Sequence, residues 1–387
     1  MTERFGSYQN EIYLQGLNGV RPPCSTDPTK LEDSARELLG PGPFSYVAGA
    51  AGTGATARAN REAFDHWRLV PRMLTDATDR DLSTTVFGTR LPAPVLVAPV
   101  GVQSIVHADA ERATARAAAS IGLPFILSTA SSTTIEDVAA ASGAGPRWFQ
   151  LYWPNDPDVC ASLLARAKAA GYTTLVVTLD TWTLAWRPSD LDQAYLPFLT
   201  GHGTAIPLSD PVFRGRLDKT PEEDPAAAIL RWVSTFTGTD KSWQQLPFLR
   251  EHWDGPIVLK GIQHVDDARR AMDAGMDGIV VSNHGGRQID GGIGSLEALP
   301  AIAAAVGEHV EVLFDSGVRT GADVVKALAL GAKAVLLGRP WVYGLALAGE
   351  AGVRHVLRSV LADLDLTLGL SGHRTLAELT PSVLRRS

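Results

Sequence analysis

The chain has 387 residues, of which 45% are hydrophobic and 20% are charged, and its formal net charge is −7. This composition is typical of a globular protein with a large core. The acidic balance argues against nucleic acid or an anionic membrane as a partner. No apolar run reaches the roughly 18 residues of a membrane helix, and the polar start MTERFGSYQNE lacks the apolar stretch of a secretory signal. Two cysteines are too few for a disulfide framework or a multi-thiolate metal site, so we expect a cytoplasmic protein without a metal.

Eight short apolar runs rich in β-branched residues recur along the chain, separated by segments with helical periodicity. In chain order the runs are PVLVAPVG (94–101), PFILSTA (124–130), RWFQLYW (147–153), TLVVTLD (174–180), PIVLKG (256–261), GIVVSNH (278–284), EVLFDSG (311–317) and AVLLGRP (334–340). Such uniformly apolar runs suit parallel strands buried on both faces. Eight strand–helix units predict a (β/α)8 barrel. An open doubly wound sheet is the alternative, but no GxGxxG follows the first strand.

We therefore expect a single domain over residues 1–387. Residues 94–180 and 256–345 would form the barrel core, 1–93 an N-terminal extension of helices, and 346–387 C-terminal helices. Residues 181–255, between the fourth and fifth strands, are too many for a simple loop. Because this segment is rich in Pro, Gly, Trp and Phe, we interpret it as a lid over the mouth of the barrel rather than a disordered linker.

Polar or small residues follow nearly every predicted strand, at the end where the active sites of such barrels lie. They are Gly101, Ser128, Thr129, Gln150, Tyr152, Thr178, Asp180, Lys260, Ser282, His284, Asp315, Gly338 and Arg339. Asp, Lys, His and Arg converge on one mouth from four strands, which core filling does not explain. The pattern predicts a catalytic site at the mouth.

Two glycine-containing loops predict a phosphate site. DSGVRTG follows the seventh strand and LGRP follows the eighth, where barrels often bind phosphate. Gly317, Gly321 and Gly338 would let backbone N–H groups approach an anion, and Arg319 and Arg339 would add charge. The alternative is two ordinary glycine turns with surface arginines.

The remaining strand ends predict proton transfer and anion binding. A carboxylate that orients an imidazole is the usual way to make histidine a base, and the barrel would bring Asp180 close to His284. Arg287 suits bidentate binding of a carboxylate, and Arg187 is a candidate second clamp. Lys260 ends an apolar run, where a lysine is rare without a partner; it is a candidate for a carbonyl adduct or for an electrostatic role.

These motifs resemble those of the FMN-dependent 2-hydroxy acid oxidases and dehydrogenases. The resemblance is carried by SNHGGRQ after the sixth strand, the fifth-strand lysine, FQLY, TLDT, DSGVRTG and LGRP, and extends from about Tyr8 to Leu384. Within the family, YQNEIYLQGLNGV, FSYVAGAAG, TLDTW…WRPSDL and DPVF are most similar to the lactate 2-monooxygenases. The resemblance implies bound FMN, an L-2-hydroxy acid substrate, O2 as electron acceptor, and a homo-oligomer, either a tetramer or an octamer.

The resemblance also implies roles for individual residues. His284 would be the catalytic base with Asp180 as its partner, and Tyr152 would bind the substrate oxygen. The substrate carboxylate would lie against Tyr46, Arg187 and Arg287. Lys260 would lie near flavin N1 and O2 and stabilise the reduced anionic flavin. Further FMN contacts are implied for Pro99, Val100, Gly101, Ser128, Gln150, Thr178 and Ser282, and contacts with its phosphate for Asp315, Gly317, Arg319, Gly338 and Arg339.

Three departures from the family pattern stand out. Thr53 and Gly54 replace a common acidic pair, so we expect lost local ion pairing. Gly101 replaces an alanine of many relatives, and the missing methyl group would alter the space beside the flavin. Thr183 and Leu184 replace bulkier residues of the monooxygenases, which would change the preferred substrate side chain.

The predicted reaction is oxidation of L-lactate by O2 to acetate, CO2 and water, which requires the 2-oxo acid to stay in a closed site. If the 2-oxo acid leaves first, the enzyme is a lactate or mandelate type oxidase that releases hydrogen peroxide. A dehydrogenase that reduces quinone or cytochrome is less well supported, because the sequence shows no haem domain or membrane segment. A non-catalytic FMN-binding protein is the alternative of another class, but binding FMN alone needs none of Asp180, His284, Arg187 and Arg287.

Overall fold

The computed structural model describes residues 4–236 and 241–387. Ahead of the barrel lie the helices α1 (Tyr8–Gly16), α2 (Pro28–Leu38), α3 (Pro41–Ala48) and α4 (Ala55–Asp65) and the short strands β1 (Trp67–Leu69), β2 (Thr84–Val86) and β3 (Thr89–Leu91). The extension therefore contains the expected helices and, in addition, three short strands. Strands β2 and β3 form a hairpin whose two turn residues, Phe87 (φ 47°) and Gly88 (φ 74°), both have the positive φ of a type I′ turn.

This hairpin closes one end of the barrel. Phe87 packs on Trp148 with ring centroids 5.6 Å apart, and its backbone N–H donates to Glu311 at the start of a barrel strand. Val86 and Leu91 belong to the same buried cluster as the side chains that fill the barrel interior. The strand ends at the other mouth are left for chemistry.

Eight parallel strands close into a barrel, which confirms the predicted (β/α)8 fold. They are β4 (Val95–Val97), β5 (Phe125–Ser128), β6 (Arg147–Leu151), β7 (Leu175–Thr178), β8 (Ile257–Ile262), β9 (Gly278–Val281), β10 (Glu311–Phe314) and β11 (Ala334–Leu337). Nearly every residue in them is buried, as expected for strands covered on both faces. Strand β11 pairs with β4 at Leu336 and Leu96, which completes the ring.

The remaining helices lie after the barrel strands in the chain. They are α5 (Ala110–Ala119), α6 (Ile135–Ser142), α7 (Pro157–Ala169), α8 (Pro188–Asp192), α9 (Ala205–Leu208), α10 (Pro211–Arg214), α11 (Pro225–Ser234), α12 (Leu246–His252), α13 (Val265–Asp273), α14 (Ser295–Val306), α15 (Gly321–Ala329) and α16 (Arg339–Leu370). Helices α8 to α12 lie in the predicted lid segment. Side chains cap several helices: Thr134 accepts from the first turn of α6, Asp156 from that of α7 and Thr320 from that of α15.

The C-terminal segment differs from a simple set of helices. Helix α16 continues across the expected boundary at 345/346 and is broken at Ala348 and Gly349, which has φ of 56°. After α16 the chain ends in strand β12 (Leu384–Arg386), which pairs antiparallel with β1. This pairing attaches the chain end to the N-terminal extension. No helix among the described residues is long and apolar enough to span a membrane.

Candidate active site

A cavity of about 400 Å³ opens at the mouth of the barrel. Residues at or just after the ends of all eight barrel strands contribute to its wall. Helix α3 adds Tyr46 and Val47, and the segment between β7 and α12 adds Leu196, Phe198, Trp232, Val233 and Phe236. The parallel strands bring these residues together because their carboxyl ends all point to one mouth.

His284 lies in the cavity wall, and its Nδ1 is 2.8 Å from Asp180 Oδ1. The hydroxyl of Thr181 lies 3.0 Å from the same Nδ1 and donates to the same carboxylate oxygen. Because Nδ1 is engaged, Nε2 is the nitrogen available to accept a proton. Burial lowers the pKa of His284 and the neighbouring cation Lys260 adds to this, although Asp180 opposes it. The resting imidazole is therefore neutral, as a general base requires.

Lys260 lies in the cavity wall, and its charge is balanced by a carboxylate. Its Nζ is 3.0 Å from Asp315 Oδ2 and donates to Ser282 Oγ at 2.9 Å. Burial lowers the pKa of Lys260, but Asp315 and Asp180 outweigh it and hold the pKa above its ordinary value. Lys260 is therefore a permanent buried cation in the cavity wall, which makes the carbonyl-adduct role less suitable.

The guanidinium groups of Arg187 and Arg287 differ from Lys260 because they have no such counterion among the described residues. Arg187 donates to the backbone oxygen of Arg287 at 3.0 Å and to Gln288 Oε1 at 2.5 Å. Arg287 donates to the oxygen of Gly49 and lies over the ring of Tyr46. In the described part of the chain neither forms an ion pair with a carboxylate within 4 Å. Burial and the charge of Arg287 lower the pKa of Arg187 to about 10.

A second cationic region lies at the loops after β10 and β11. Arg319 and Arg339 line the cavity beside Gly338, which caps the N-terminus of α16. Arg339 donates to the backbone oxygens of Val47, Gly49 and Gly285, and burial lowers its pKa to about 10. No carboxylate among the described residues lies within ion-pair distance of either guanidinium. A methyl group built on Gly338 would meet no atom within 4 Å, so open space adjoins this helix start.

The predicted site residues divide into those that line the cavity and those that do not. Those that line the cavity are Tyr46, Pro99, Val100, Gly101, Tyr152, Arg187, Lys260, His284, Arg287, Asp315, Gly317, Arg319, Gly338 and Arg339. Ser128, Gln150, Thr178, Ser282 and Asp180 do not line it. Ser128 donates to Gln150, which donates to Thr178 at 2.9 Å, so these three form a hydrogen-bonded chain across three strand ends.

Some expectations about individual residues change. The N–H of Gly321 donates to Asp363, so it is not available to an anion. A methyl group on Gly101 would lie 2.5 Å from the oxygen of Ala130, so this glycine is needed for close packing of two strand-end loops. Thr53 donates its N–H and hydroxyl to Asp290 and so still ties its loop to the barrel without an ion pair.

Several cavity residues were given no individual role from the sequence. They include Val102, Gln103, Thr129, Ala130, Ser316, Val318 and the aromatic residues of the 181–255 segment. Thr129 was named as a strand-end residue, and Ser316 and Val318 lie inside the DSGVRTG motif, so a signal for these three was available. Phe198 and Trp232 come from short helical segments whose direction no periodicity reveals.

A sequence profile described as FMN-dependent dehydrogenase matches residues 35–386. The chain belongs to this family of FMN-dependent dehydrogenases. It is 54% identical over 386 residues to the FMN-dependent alpha-hydroxy acid dehydrogenase qulF of Penicillium citrinum, covering 99% of this chain and 96% of the relative. It is 42% identical to an L-lactate oxidase of Lysinibacillus sphaericus, covering 91% and 89%. A solved structure of mandelate oxidase is similar with a TM-score of 0.82 and 39% identity, covering 94% and 98%.

The cofactor of this family, FMN, fits the cavity. Two partly buried guanidinium groups, which have no carboxylate partner among the described residues, and an open helix N-terminus suit the dianionic phosphate. The buried cation of Lys260, opposite the loop Pro99–Gly101, suits an electron-rich ring. Membership in the family establishes the chain as an FMN-dependent oxidoreductase acting on hydroxy acids.

Proposed function

We propose that the chain oxidises an L-2-hydroxy acid at Cα with O2 as the electron acceptor. The observation that carries this proposal is the neutral imidazole of His284, paired with Asp180, in the same cavity wall as two guanidinium groups that have no carboxylate partner among the described residues. A hydroxy acid supplies both missing parts, a carboxylate for the guanidinium groups and a proton for the imidazole.

The protein groups act on the substrate as follows. Arg187 and Arg287 hold the carboxylate, which fixes the position of Cα and its hydroxyl. His284 accepts a proton through Nε2, and Asp180 stabilises the imidazolium that forms. The phenol of Tyr152 lies in the same wall, where it would bind the substrate oxygen; burial raises its pKa, so it remains a proton donor. Bound FMN supplies the two-electron acceptor.

For the products, we propose the L-lactate 2-monooxygenase reaction, in which lactate and O2 give acetate, CO2 and water. This outcome requires that the 2-oxo acid is retained. The 181–255 segment supports it, because Leu196, Phe198 and Trp232 form part of the cavity wall. Phe198 packs edge-on against Tyr46, and Phe236 packs edge-on against Tyr152. We therefore propose that this segment is the lid that slows product release.

A second candidate is an oxidase that releases the 2-oxo acid and hydrogen peroxide. The names of several relatives favour it: L-lactate oxidase at 42% identity and 4-hydroxymandelate oxidase at 41% identity. The same residues would bind the substrate and accept the proton. Only the lifetime of the 2-oxo acid in the cavity would differ.

One experiment separates these outcomes. Purified holoenzyme is mixed with L-lactate in air-saturated buffer, and acetate, pyruvate and hydrogen peroxide are quantified against the oxygen consumed. Acetate equal to the oxygen consumed, with little peroxide, supports the monooxygenase. Pyruvate with equal peroxide establishes the oxidase and removes the argument for retention by the lid. If lactate is not turned over, mandelate is tested, and a lack of turnover there contradicts the proposed oxidation.

A further inference from the structure

The backbone of His284 has an unusual conformation. Its φ of 57° lies in the left-handed region, which residues other than glycine rarely adopt. Such a conformation persists only where the surrounding structure holds it in place. Part of that support is local: the N–H of His284 donates to Ser282 Oγ at 3.1 Å, and the N–H of Gly285 donates to Ser316 Oγ at 3.0 Å.

The rest of the support comes from Asn60, which lies 223 positions before Asn283 in the chain. Asn60 of α4 and Asn283 form a reciprocal amide pair, in which each Nδ2 donates to the other's Oδ1 at 2.8 Å. Asn283 Oδ1 also accepts from the N–H of Gly286 at 3.1 Å. The two amides therefore hold the residues on both sides of His284.

Asn60 is itself firmly fixed. Its side chain is 1% exposed, and its Oδ1 also accepts from the N–H of Ser295 at 3.0 Å. Helix α4 lies so close to the strand-end loops that a methyl group on Gly286 would lie 2.5 Å from the backbone of Ala57. A methyl group on Gly317 would lie 2.6 Å from the oxygen of Asn60. The helix acts as a rigid template for two loops of the active site.

We infer that Asn60, in the N-terminal extension, is a positioning residue that sets the orientation of His284 through Asn283. Asn60 does not line the cavity, so it acts without touching substrate or cofactor. The inference rests on the proposed role of His284 as the base. It goes beyond the packing role expected of the extension, because it gives one buried side chain in that extension an effect on the chemical step.

The first test is the Asn60→Ala variant, compared as holoenzyme with the wild type. A small displacement of a catalytic group costs about 10–100-fold in rate, so we expect kcat to fall by about this factor while KM changes little. The isotope effect on kcat with the 2-deuterated hydroxy acid should rise, because a misplaced base slows removal of that hydrogen. FMN occupancy is measured by absorbance so that lost cofactor is not counted as lost rate.

Asn283→Ala and the double variant complete the test. If Asn60 acts through Asn283, each single variant should lower kcat by a similar factor, and the double variant should be no slower than either. Should Asn60→Ala fail to fold, Asn283→Ala alone still has to show the same loss of kcat. Full additivity in the double variant would contradict the inference.

Thr56→Val is the matched control. Thr56 lies one turn earlier on α4, is 1% exposed, and bonds to Ile289 and Gly292 in the same loop but farther from His284. It should lose stability comparably while kcat stays within about twofold to threefold of wild type. If Thr56→Val loses as much kcat as Asn60→Ala, the effect is a general loosening of the loop and the inference is wrong.

A reference variant separates this inference from the proposed function. His284→Asn should remove nearly all turnover. If it does and Asn60→Ala keeps wild-type kcat, the positioning role alone is wrong. If His284→Asn retains turnover, the proposed base is wrong and the inference falls with it.

Discussion

Lys260 and the pair Arg187 and Arg287 are cations in the wall of one cavity, but among the described residues only the lysine has an internal counterion. Asp315 lies 3.0 Å from Lys260 and helps to raise its pKa. Across the described chain no carboxylate pairs with either arginine, and burial lowers the pKa of Arg187 to about 10.

The presence or absence of a counterion indicates the role of each cation. A buried charge with a counterion is stable in the resting protein and can serve as a fixed part of the site. A buried charge without one destabilises the resting protein until an anion binds. Arg187 and Arg287 therefore point to a ligand carboxylate, and Arg319 and Arg339 to a ligand phosphate. Removing a cation of each kind should change stability in different ways.

The largest effect is expected for Arg287→Met. Under the proposed role of Arg287 in binding the substrate carboxylate, loss of its charge should lower kcat/KM about 100–1,000-fold. The thermal midpoint of the substrate-free holoenzyme should stay the same or rise, because the charge of Arg287 acts unfavourably on Arg187 and Arg339. Steady-state kinetics and thermal unfolding measure the two quantities.

Arg90→Met serves as the control for this variant. Arg90 is exposed on the hairpin that closes the opposite end of the barrel. Its substitution therefore removes the same charge without changing a residue of the cavity. It should leave both quantities unchanged. A lower midpoint with unchanged kcat/KM for Arg287→Met would mean that this arginine is structural.

An effect of comparable size, but of the opposite sign on stability, is expected for Lys260→Met. This change leaves Asp315 buried without its cation, which should cost about 3–5 kcal/mol in the free energy of unfolding. Adding Asp315→Asn should restore much of that loss, because the unpaired charge is then gone. Urea unfolding of the single and double variants measures this. Equal stability of Lys260→Met and wild type would show that Lys260 is not needed to balance the charge of Asp315.

The barrel was predictable because each strand is a short apolar run and the segments between the strands have helical periodicity, several of them with a side-chain cap. The functional residues at the strand ends were predictable because core packing does not explain a polar residue directly after a buried apolar run. Whether a given strand-end residue lines the cavity was harder to predict. Ser128, Gln150 and Thr178 lie within or at the ends of their strands and bond to one another, whereas Thr129, Ala130 and Tyr152, one or two positions beyond the strand ends, line the cavity.

Contacts between distant segments were not predictable. Neither the amide pair of Asn60 with Asn283 nor the pairing of β1 with β12 has a periodic signature, because each depends on where two separate elements meet in space. The break in α16 at Gly349 was also missed. There a methyl group would lie 2.8 Å from the ring of His107, so the helix bends around a neighbour that the local sequence does not show.

The smallest expected effect is on the pH dependence of kcat/KM. It concerns His284, whose pKa is affected by Lys260 as well as by Arg187. Its pKa in the free enzyme is lowered by burial, with Lys260 and Arg187 adding to the effect and Asp180 opposing it. A protonated imidazole cannot accept a proton, so kcat/KM should fall as the pH drops through this pKa, at a pH below the ordinary 6.5. Asp180→Asn removes the opposing carboxylate, so this acid limb should move to still lower pH.

The same substitution should also lower the plateau of kcat, because the imidazolium formed during turnover loses its counterion. Asp254→Asn is the control, since that exposed carboxylate pairs with Lys168 away from the cavity and should change neither the limb nor the plateau. An acid limb that moves to higher pH in Asp180→Asn would mean that Asp180 does not raise the pKa of His284. The 2.8 Å contact would then orient the ring without holding its charge.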